Sequence, residues 1–509
     1  MLDTTPLLRL YATRRRRHLA MQAPAPTQER QLAALLRRAA GTVFGRRHGF
    51  ARLRGVADFQ AAVPLRRYED FWHEFWAPAF PVLEDVSWPG RIPYFAVTSG
   101  TTSGKTKHIP VSHAMVAANR RGALDVLTYH LANRPCSHVL AGRSFMLGGS
   151  TALTKLAPGV LSGDLSGIAA DRVPFWARPR FFPPRQIALI ADWDRKIATL
   201  APLSLAADIR AIGGTPSWLL LFFEALAALR PEAPPRLASW YPRLELLIHG
   251  GVNFAPYRRR FEALLEGSRA ELREVYPASE GFVAIADRGP DDGLRLILDN
   301  GLFYEFVPVG ELDAAAPTRH WIATAETGVD YALVLSSCAG LWAYVLGDTV
   351  RLVERAPPRL VVTGRTAYML SAFGEHLIAE EIEDAVAAAA ESIGCTVNDY
   401  VAAPLYPEPG GARGGHLFVV ELAERVPGAE ETARFAAVLD RTLAAANDDY
   451  AAHRAGGFGM DPPAVRPVPA GTFAAWMRTQ GRLGGQHKVP RVLNDPARLR
   501  ELLAFLDAR

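Results

Sequence analysis

The chain has 509 residues, 49% of them hydrophobic and 21% charged; this globular balance is too long for one ordinary core and implies two or three domains. Its 57 basic and 52 acidic residues leave a net charge of only +5, without the concentrated basic face that a nucleic-acid binder of this size presents. Cys136, Cys338 and Cys395 are far apart and lack metal-ligand spacing, which suits a reducing compartment with thiols as small core residues.

Near the N-terminus a short apolar patch precedes Arg14-Arg15-Arg16-Arg17-His18. That order is the reverse of a secretory signal, and the basic run reads as a solvated turn of an N-terminal helix. Leu32, Leu35, Leu36, Ala39 and Val43 recur at helical spacing, and a second helix is expected around 68–72. An apolar run, Tyr94-Phe95-Ala96-Val97, enters a polar glycine-containing loop. Residues 112–132 then read as a helix capped by Ser112. The most hydrophobic segment, 218–223, is followed by Glu224 and is far shorter than the roughly 20 apolar residues that span a bilayer. A cytoplasmic protein that binds neither membrane nor nucleic acid is therefore expected.

The middle of the chain alternates helices with short apolar runs. Residues 244–248 read as a buried strand ending in Gly250-Gly251, and 272–276 as a second strand entering Pro277-Ala278-Ser279-Glu280-Gly281. Helices are expected at 217–229 and 257–265. Such alternation predicts an α/β sheet with ligands at the carboxyl ends of its strands. From about 300 to 363 the pattern becomes strand-dense, with runs at 302–307, 331–335, 341–345, 349–353 and 359–362, and predicts a small barrel-like portion. Gly347-Asp348 is expected in a tight turn between two of these strands. A boundary near 371–374 separates a large domain, 1–370, from a small α+β domain, 371–509, with helices at 378–390 and 430–446 and a strand at 417–422.

The loop after Val97 carries the most chemistry. Residues 99–108 hold five hydroxyl side chains, two glycines and two lysines. Glycines let a backbone wrap an anion, hydroxyls donate to phosphate oxygens and lysines neutralise charge. Gly104-Lys105-Thr106 ends like a P-loop, but the first glycine of G-x-x-x-x-G-K-[ST] falls on Ser99, and Gly100 is one residue too close. The loop is thus a polyphosphate cradle of another kind.

The run Thr98–Lys107 resembles the phosphate loop of adenylate-forming enzymes, and the chain as a whole resembles the Gretchen Hagen family of acyl acid amido synthetases. Tyr276-Pro277-Ala278-Ser279-Glu280 is similar to that family's second motif and Tyr344-Val345-Leu346-Gly347-Asp348 to its third. Phe44–Phe50, Val63–Asp70, Asn447-Asp448-Asp449-Tyr450 with Arg454, and Gln486–Arg491 also match, in the expected order along nearly the whole chain. Arginine and alanine abundance suggests a bacterial member.

The resemblance implies an adenylate-forming architecture with a mobile C-terminal domain turning about 371–375, and a ligase that uses ATP and Mg2+. A carboxylate displaces pyrophosphate from ATP, and an amine, such as an amino acid, then takes the acyl group. Ser99, Gly100, Thr101, Thr102 and Ser103 would hold phosphates, with Lys105 or Lys107 balancing charge. Glu280 would contact Mg2+, since hard cations prefer carboxylate oxygen. Tyr276 and Ser279 would border the nucleotide beside Gly250 and Gly251, and Asp348 would hold the ribose hydroxyls. Arg365 would reach ribose or phosphate. Lys488 would be the catalytic lysine, with Thr102 and Glu280 the other catalytic residues. His376 stands where plant members carry lysine, and makes that contribution pH-dependent. A thioester-forming ligase and a non-catalytic nucleotide-binding homologue are the alternatives.

Overall fold

Leu246-Leu247-Ile248 leads into His249-Gly250, and in the computed structural model Leu246–Gly250 is an interior strand of a 12-stranded sheet. The structure describes residues 2–508 except 100–105, 149–151, 191–192, 252–253, 255–256, 290–291, 313, 366–369, 371–376, 378, 406–413, 448–449, 452–453, 455–459, 481–488 and 494. They form two compact units, Met1–Val252 with Arg260–Val362, and Asn253–Arg259 with Thr363–Arg509.

The large sheet of the first unit has two halves. Phe181–Phe182, Arg143–Leu147, Ile209–Gly214, Leu246–Gly250 and Glu271–Ala278 run parallel. From Glu271–Ala278 onward pairing turns antiparallel, through Gly281–Ile285 and Leu294–Leu296 to Pro358–Arg365. Tyr344–Arg355, Asp330–Ser337, Leu302–Pro308 and His320–Trp321 complete the order. The strand-dense segment thus continues the α/β sheet edge to edge. The strand carrying Tyr276 is where the two halves meet.

The expected strands at 341–345 and 349–353 are one strand, Tyr344–Arg355. Ala332 pairs with Thr349 and Val334 with Val345, so Leu333 alone faces Leu346, Gly347 and Asp348. Asp348 therefore sits on a β-bulge inside a continuous strand, not in a turn between two. Gly347 takes φ 91° there, a conformation that favours glycine.

A four-stranded sheet holds the hairpin strands Tyr94–Ser99 and Thr106–Val111, which pair antiparallel from Tyr94–Val111 to Ser99–Thr106. The helix His113–Asn133 follows, and its expected cap is present: the Met115 N–H donates to Ser112 Oγ at 3.1 Å.

In the second unit Val397–Leu405, Gly415–Leu422 and Ala464–Val468 form a three-stranded sheet. Alternate residues face opposite layers. Tyr400, Ala402, Phe418 and Val420 pack with helices Ala379–Ser392 and Ala429–Ala446. Val401, Ala403, Leu417 and Val419 pack with Thr472–Thr479 and Pro496–Asp507. Double-sided burial explains why 417–422 is apolar except at Glu421. Among the described residues no helix is long and apolar enough to cross a membrane.

Candidate nucleotide and phosphate site

Glu271–Ala278 and Gly281–Ile285 form a hairpin whose turn is Ser279-Glu280. The bulge in Tyr344–Arg355 turns Asp348 toward the same neighbourhood. Tyr276 Oη donates to Asp348 Oδ2, and the Glu280 charge acts on the Tyr344 hydroxyl. All four side chains are less than a tenth exposed. Burial first, and the Glu280 charge next, push the Tyr344 pKa well above its ordinary value, so it stays protonated. The two expected motifs are therefore tied together by the Tyr276–Asp348 bond.

The N-terminal motif supports this pair from behind. The Arg66 N–H donates to the Ala343 carbonyl at 3.0 Å, and the Val345 N–H to the Arg66 carbonyl at 2.9 Å. The buried Arg66 guanidinium pairs with Glu74 at 2.8 Å and lies over the Phe44, Phe71 and Phe75 rings. Two residues on, Tyr68 Oη accepts the His108 N–H at 2.9 Å. Lys107 Nζ lies 3.6 Å from Glu69 and 5.3 Å from the centre of the Tyr68 ring. Glu69 and Tyr68 in turn act electrostatically on Tyr344. The base of the phosphate-loop hairpin is thus tied through Tyr68–Phe71 to the strand that carries Asp348. Of the two lysines proposed to balance charge, Lys107 already has Glu69 and a ring as partners.

Gly250 and Gly251 have steric causes. A Cβ at Gly250 would lie 2.1 Å from the Val275 carbonyl oxygen, because Gly250 pairs with Val275 in the parallel ladder. Gly251 has φ 85°. Gly250 ends the strand beside the one carrying Tyr276, and Gly251 follows it.

Ser279 lies in the hairpin turn, one residue before Glu280. Ser99 ends its strand, though its side chain lies outside the described residues, as do Gly100, Thr101, Thr102, Ser103 and Lys105. Arg365 ends the strand Pro358–Arg365, with its side chain also outside them. His376 and Lys488 fall outside as well. Among the described residues no three histidine, cysteine or acidic side chains converge as a metal-binding group.

One charged group at the strand ends escaped sequence reading. Lys196 is buried, and its Nζ donates to the carbonyl of Gly148, just past Arg143–Leu147, at 3.1 Å. Burial lowers its pKa, and the Asp164 charge opposes that. Nothing in Arg195-Lys196 marks which of the two basic side chains turns inward.

The tail motif proves to be architectural. The Asp440 carboxylate accepts from Tyr450 Oη and from Arg454 Nε and Nη2, each at 2.7 Å, while Asn447 Oδ1 accepts the Tyr450 N–H at 2.8 Å. Asn447 and Arg454 also reach Glu381 and the Met460 carbonyl. These bonds pin the end of Ala429–Ala446 to Ala379–Ser392. Arg491, from the segment matched near Lys488, pairs with Asp399 at 2.5 Å and lies over the Tyr400 ring.

Residues 14–199 match the GH3 family N-terminal domain, 295–365 its central domain and 380–497 its C-terminal domain. The indole-3-acetic acid-amido synthetase GH3.3 of Arabidopsis thaliana is 25% identical over 247 residues, covering 46% of this chain and 40% of that relative. The chain thus matches less than half the length of such curated relatives. Among solved structures, the GH3.15 acyl acid amido synthetase superposes with a TM-score of 0.77 at 19% identity, over 94% of this chain and 93% of that one. A 2-hydroxyisobutyryl-CoA ligase in the postadenylation state gives a TM-score of 0.61 at 16% identity, over 94% and 91%. These likenesses establish an adenylate-forming fold, and the three domain matches, which take in most of the chain in order, place it in the GH3 family.

Proposed function

We propose that this chain is an ATP-dependent ligase, a bacterial member of its family, that activates a carboxylic acid as an acyl adenylate and transfers the acyl group to an amino acid or other amine. The observation that carries the reading is the bond from Tyr276 Oη to Asp348 Oδ2, which ties the second motif to the third where the parallel and antiparallel halves meet, with the buried Glu280 in the turn that follows. The activity that names the amido synthetases supports it by kinship.

In this reading a carboxylate oxygen of the acid attacks the α-phosphorus of ATP, and pyrophosphate leaves. The amine nitrogen then attacks the acyl carbon, AMP leaves and the amine gives up a proton. Asp348 accepts from the ribose hydroxyls, and Tyr276 borders the adenine. The loop hydroxyls of Ser99, Thr101, Thr102 and Ser103 donate to phosphate oxygens with Lys105. Glu280 is the cation contact. A carboxylate offers about four lone-pair sites, and Mg2+ normally needs only one or two protein carboxylates beside phosphates. When bound, Mg2+ screens the phosphate charge during displacement. Lys488, Arg365 and His376 keep the roles that the resemblance implies.

The deciding experiment is carboxylate-dependent exchange of labelled pyrophosphate into ATP over a broad panel of acids. We expect exchange with at least one acid, lost in Glu280→Ala and Asp348→Ala while circular dichroism stays native. No exchange with any acid, or wild-type rates in both variants, would overturn the reading. Product masses with amino acids and then with coenzyme A separate an amide from a thioester product.

A further inference from the structure

Among the described residues, the cover over the parallel half of the large sheet ends at one row. On the face that packs under the helix His113–Asn133, Ala211 and Leu246 are buried with Val126 and Leu131. Residues two apart in a strand share a face. Two residues further toward the carboxyl ends, the row on this face is therefore Met146, Gly213 and Ile248, on three adjacent strands. Parallel sheets have both faces covered as a rule, and Phe145 and Leu147 on the opposite face are buried accordingly. Met146 nevertheless is 52% exposed.

What lies over Gly213 is Met146 itself. A Cβ at Gly213 would stand 2.6 Å from Met146 Sδ, 2.7 Å from its Cε and 3.3 Å from Ile248 Cβ. Glycine thus lets the methionine rest across the neighbouring strand, one side on the sheet and the other toward solvent. To a bound molecule this row offers sulfur and hydrocarbon. The next residue along it, Arg273, is buried, and bonds the Glu271 carboxylate at 2.6 Å and the Ala286 carbonyl.

The place suits an acid beside a nucleotide. Ligands of α/β sheets sit at the carboxyl ends of the strands. Gly250, read as bordering the nucleotide, lies two residues past Ile248 on the same strand. Met146 is two strands away from that one, which at about 4.8 Å per strand is about 10 Å. An acid whose carboxylate meets ATP near Gly250 and whose body follows the row reaches Met146 at its far end. Methionine, with three rotatable bonds and a polarisable sulfur, packs against alkyl and aromatic groups alike.

We infer that Met146, laid over Gly213, is the specificity-determining far end of the acyl site, and that the acid is an apolar monocarboxylate with a body of no more than about 10 Å. This rests on the reading of the chain as an acid-activating ligase. Met146 sets how long the acid can be, and Gly213 sets how far the methionine stands off the sheet.

The test measures kcat/KM for pyrophosphate exchange over straight-chain and phenyl-ended acids of increasing length, with the matching dicarboxylic acids. Wild type should accept monocarboxylic acids up to a cut-off length and discriminate against dicarboxylic ones. Met146→Ala removes the stop and should raise the ratio of long-acid to short-acid kcat/KM about tenfold or more, the worth of a methylene in an apolar site. Gly213→Ala pushes the methionine tip outward and should lower that ratio. Adding Met146→Ala to Gly213→Ala should restore it, because no tip remains to be displaced. Met146→Trp, at a half-exposed side chain, takes the place of Gly213→Ala if the latter does not fold. An unchanged ratio in the single variants, no recovery in the double variant, or a preference for dicarboxylic acids overturns the assignment. Wild-type exchange with a cut-off that no variant moves refutes only the role of Met146. Exchange with no acid refutes the ligase reading on which that role rests.

Discussion

Arg15 shows how one residue departs from its neighbours. Arg14, Arg16, Arg17 and His18 are exposed as the run predicts, but the Arg15 guanidinium turns inward. It bonds both oxygens of Asp125 at 2.8 Å and those of Asp299 at 2.6 and 2.8 Å. The expectation of a wholly solvated turn is thus corrected at one position. Burial raises the Asp125 pKa, and Arg15 opposes it. Asp125 is 1% exposed, so removing its cation leaves a charge that water cannot reach. Arg15→Met should cost about 3–5 kcal/mol at neutral pH, measured by denaturant melting, and Asp125→Asn in the same chain should recover a large part. A loss below about 0.5 kcal/mol, usual for a surface substitution, would return Arg15 to the solvated face. Residue types announced that a charge was present; its partners lie more than a hundred residues away, beyond any local pattern.

At the scale of elements, the strand Tyr344–Arg355 is set by what precedes it. Ala343 has φ 45°, a left-handed conformation costing an L-residue roughly 1–2 kcal/mol. Its backbone bonds to Arg66 and Ser336 hold it there. Ala343→Gly relieves the strain but loses a buried methyl worth about 0.8 kcal/mol and adds chain entropy of about 0.5–1 kcal/mol, so it should stay within about 1 kcal/mol of wild type. Ala343→Val puts a β-branched side chain where it is a genuine outlier and should lose more than about 2 kcal/mol, in line with overpacking. Equal melting of the two variants would remove strain as the cause. Apolar runs at 341–345 and 349–353 suggested two strands because Leu346-Gly347-Asp348 reads as a turn. Pairing with Asp330–Ser337 on both sides of the bulge makes them one.

Across the whole molecule, each unit carries carboxylates held in the ionised form. In the first, burial pushes the Glu271 carboxyl up, but hydrogen bonds from His130 and Asn133 and the Arg273 charge outweigh it and lower its pKa. In the second, burial of Asp440 is likewise outweighed by Arg454 and Tyr450. A lowered folded pKa contributes stability above the unfolded value, about 4. That stability is lost as pH falls through the folded value. Both units should therefore weaken below about pH 4. Melting of wild type and Asp440→Asn from pH 6 to 3 tests this: the variant should start less stable and lose less on acidification. Parallel curves would mean that Asp440 adds no proton linkage.

The chain by itself determined the fold class, the rank of helices and strands and the capped helix after the hairpin, because periodicity, capping and glycine placement are local properties. Gly250 and Gly251 were legible for the same reason, although why Gly250 is needed becomes clear only from the Val275 carbonyl facing it. Tertiary structure decided that Asp348 rides a bulge, that Arg66 braces the strand behind it and that Tyr276 bonds the carboxylate of the other motif. Those facts depend on register between strands far apart in sequence, and register is settled by the packing of the whole sheet rather than by any short run of residues.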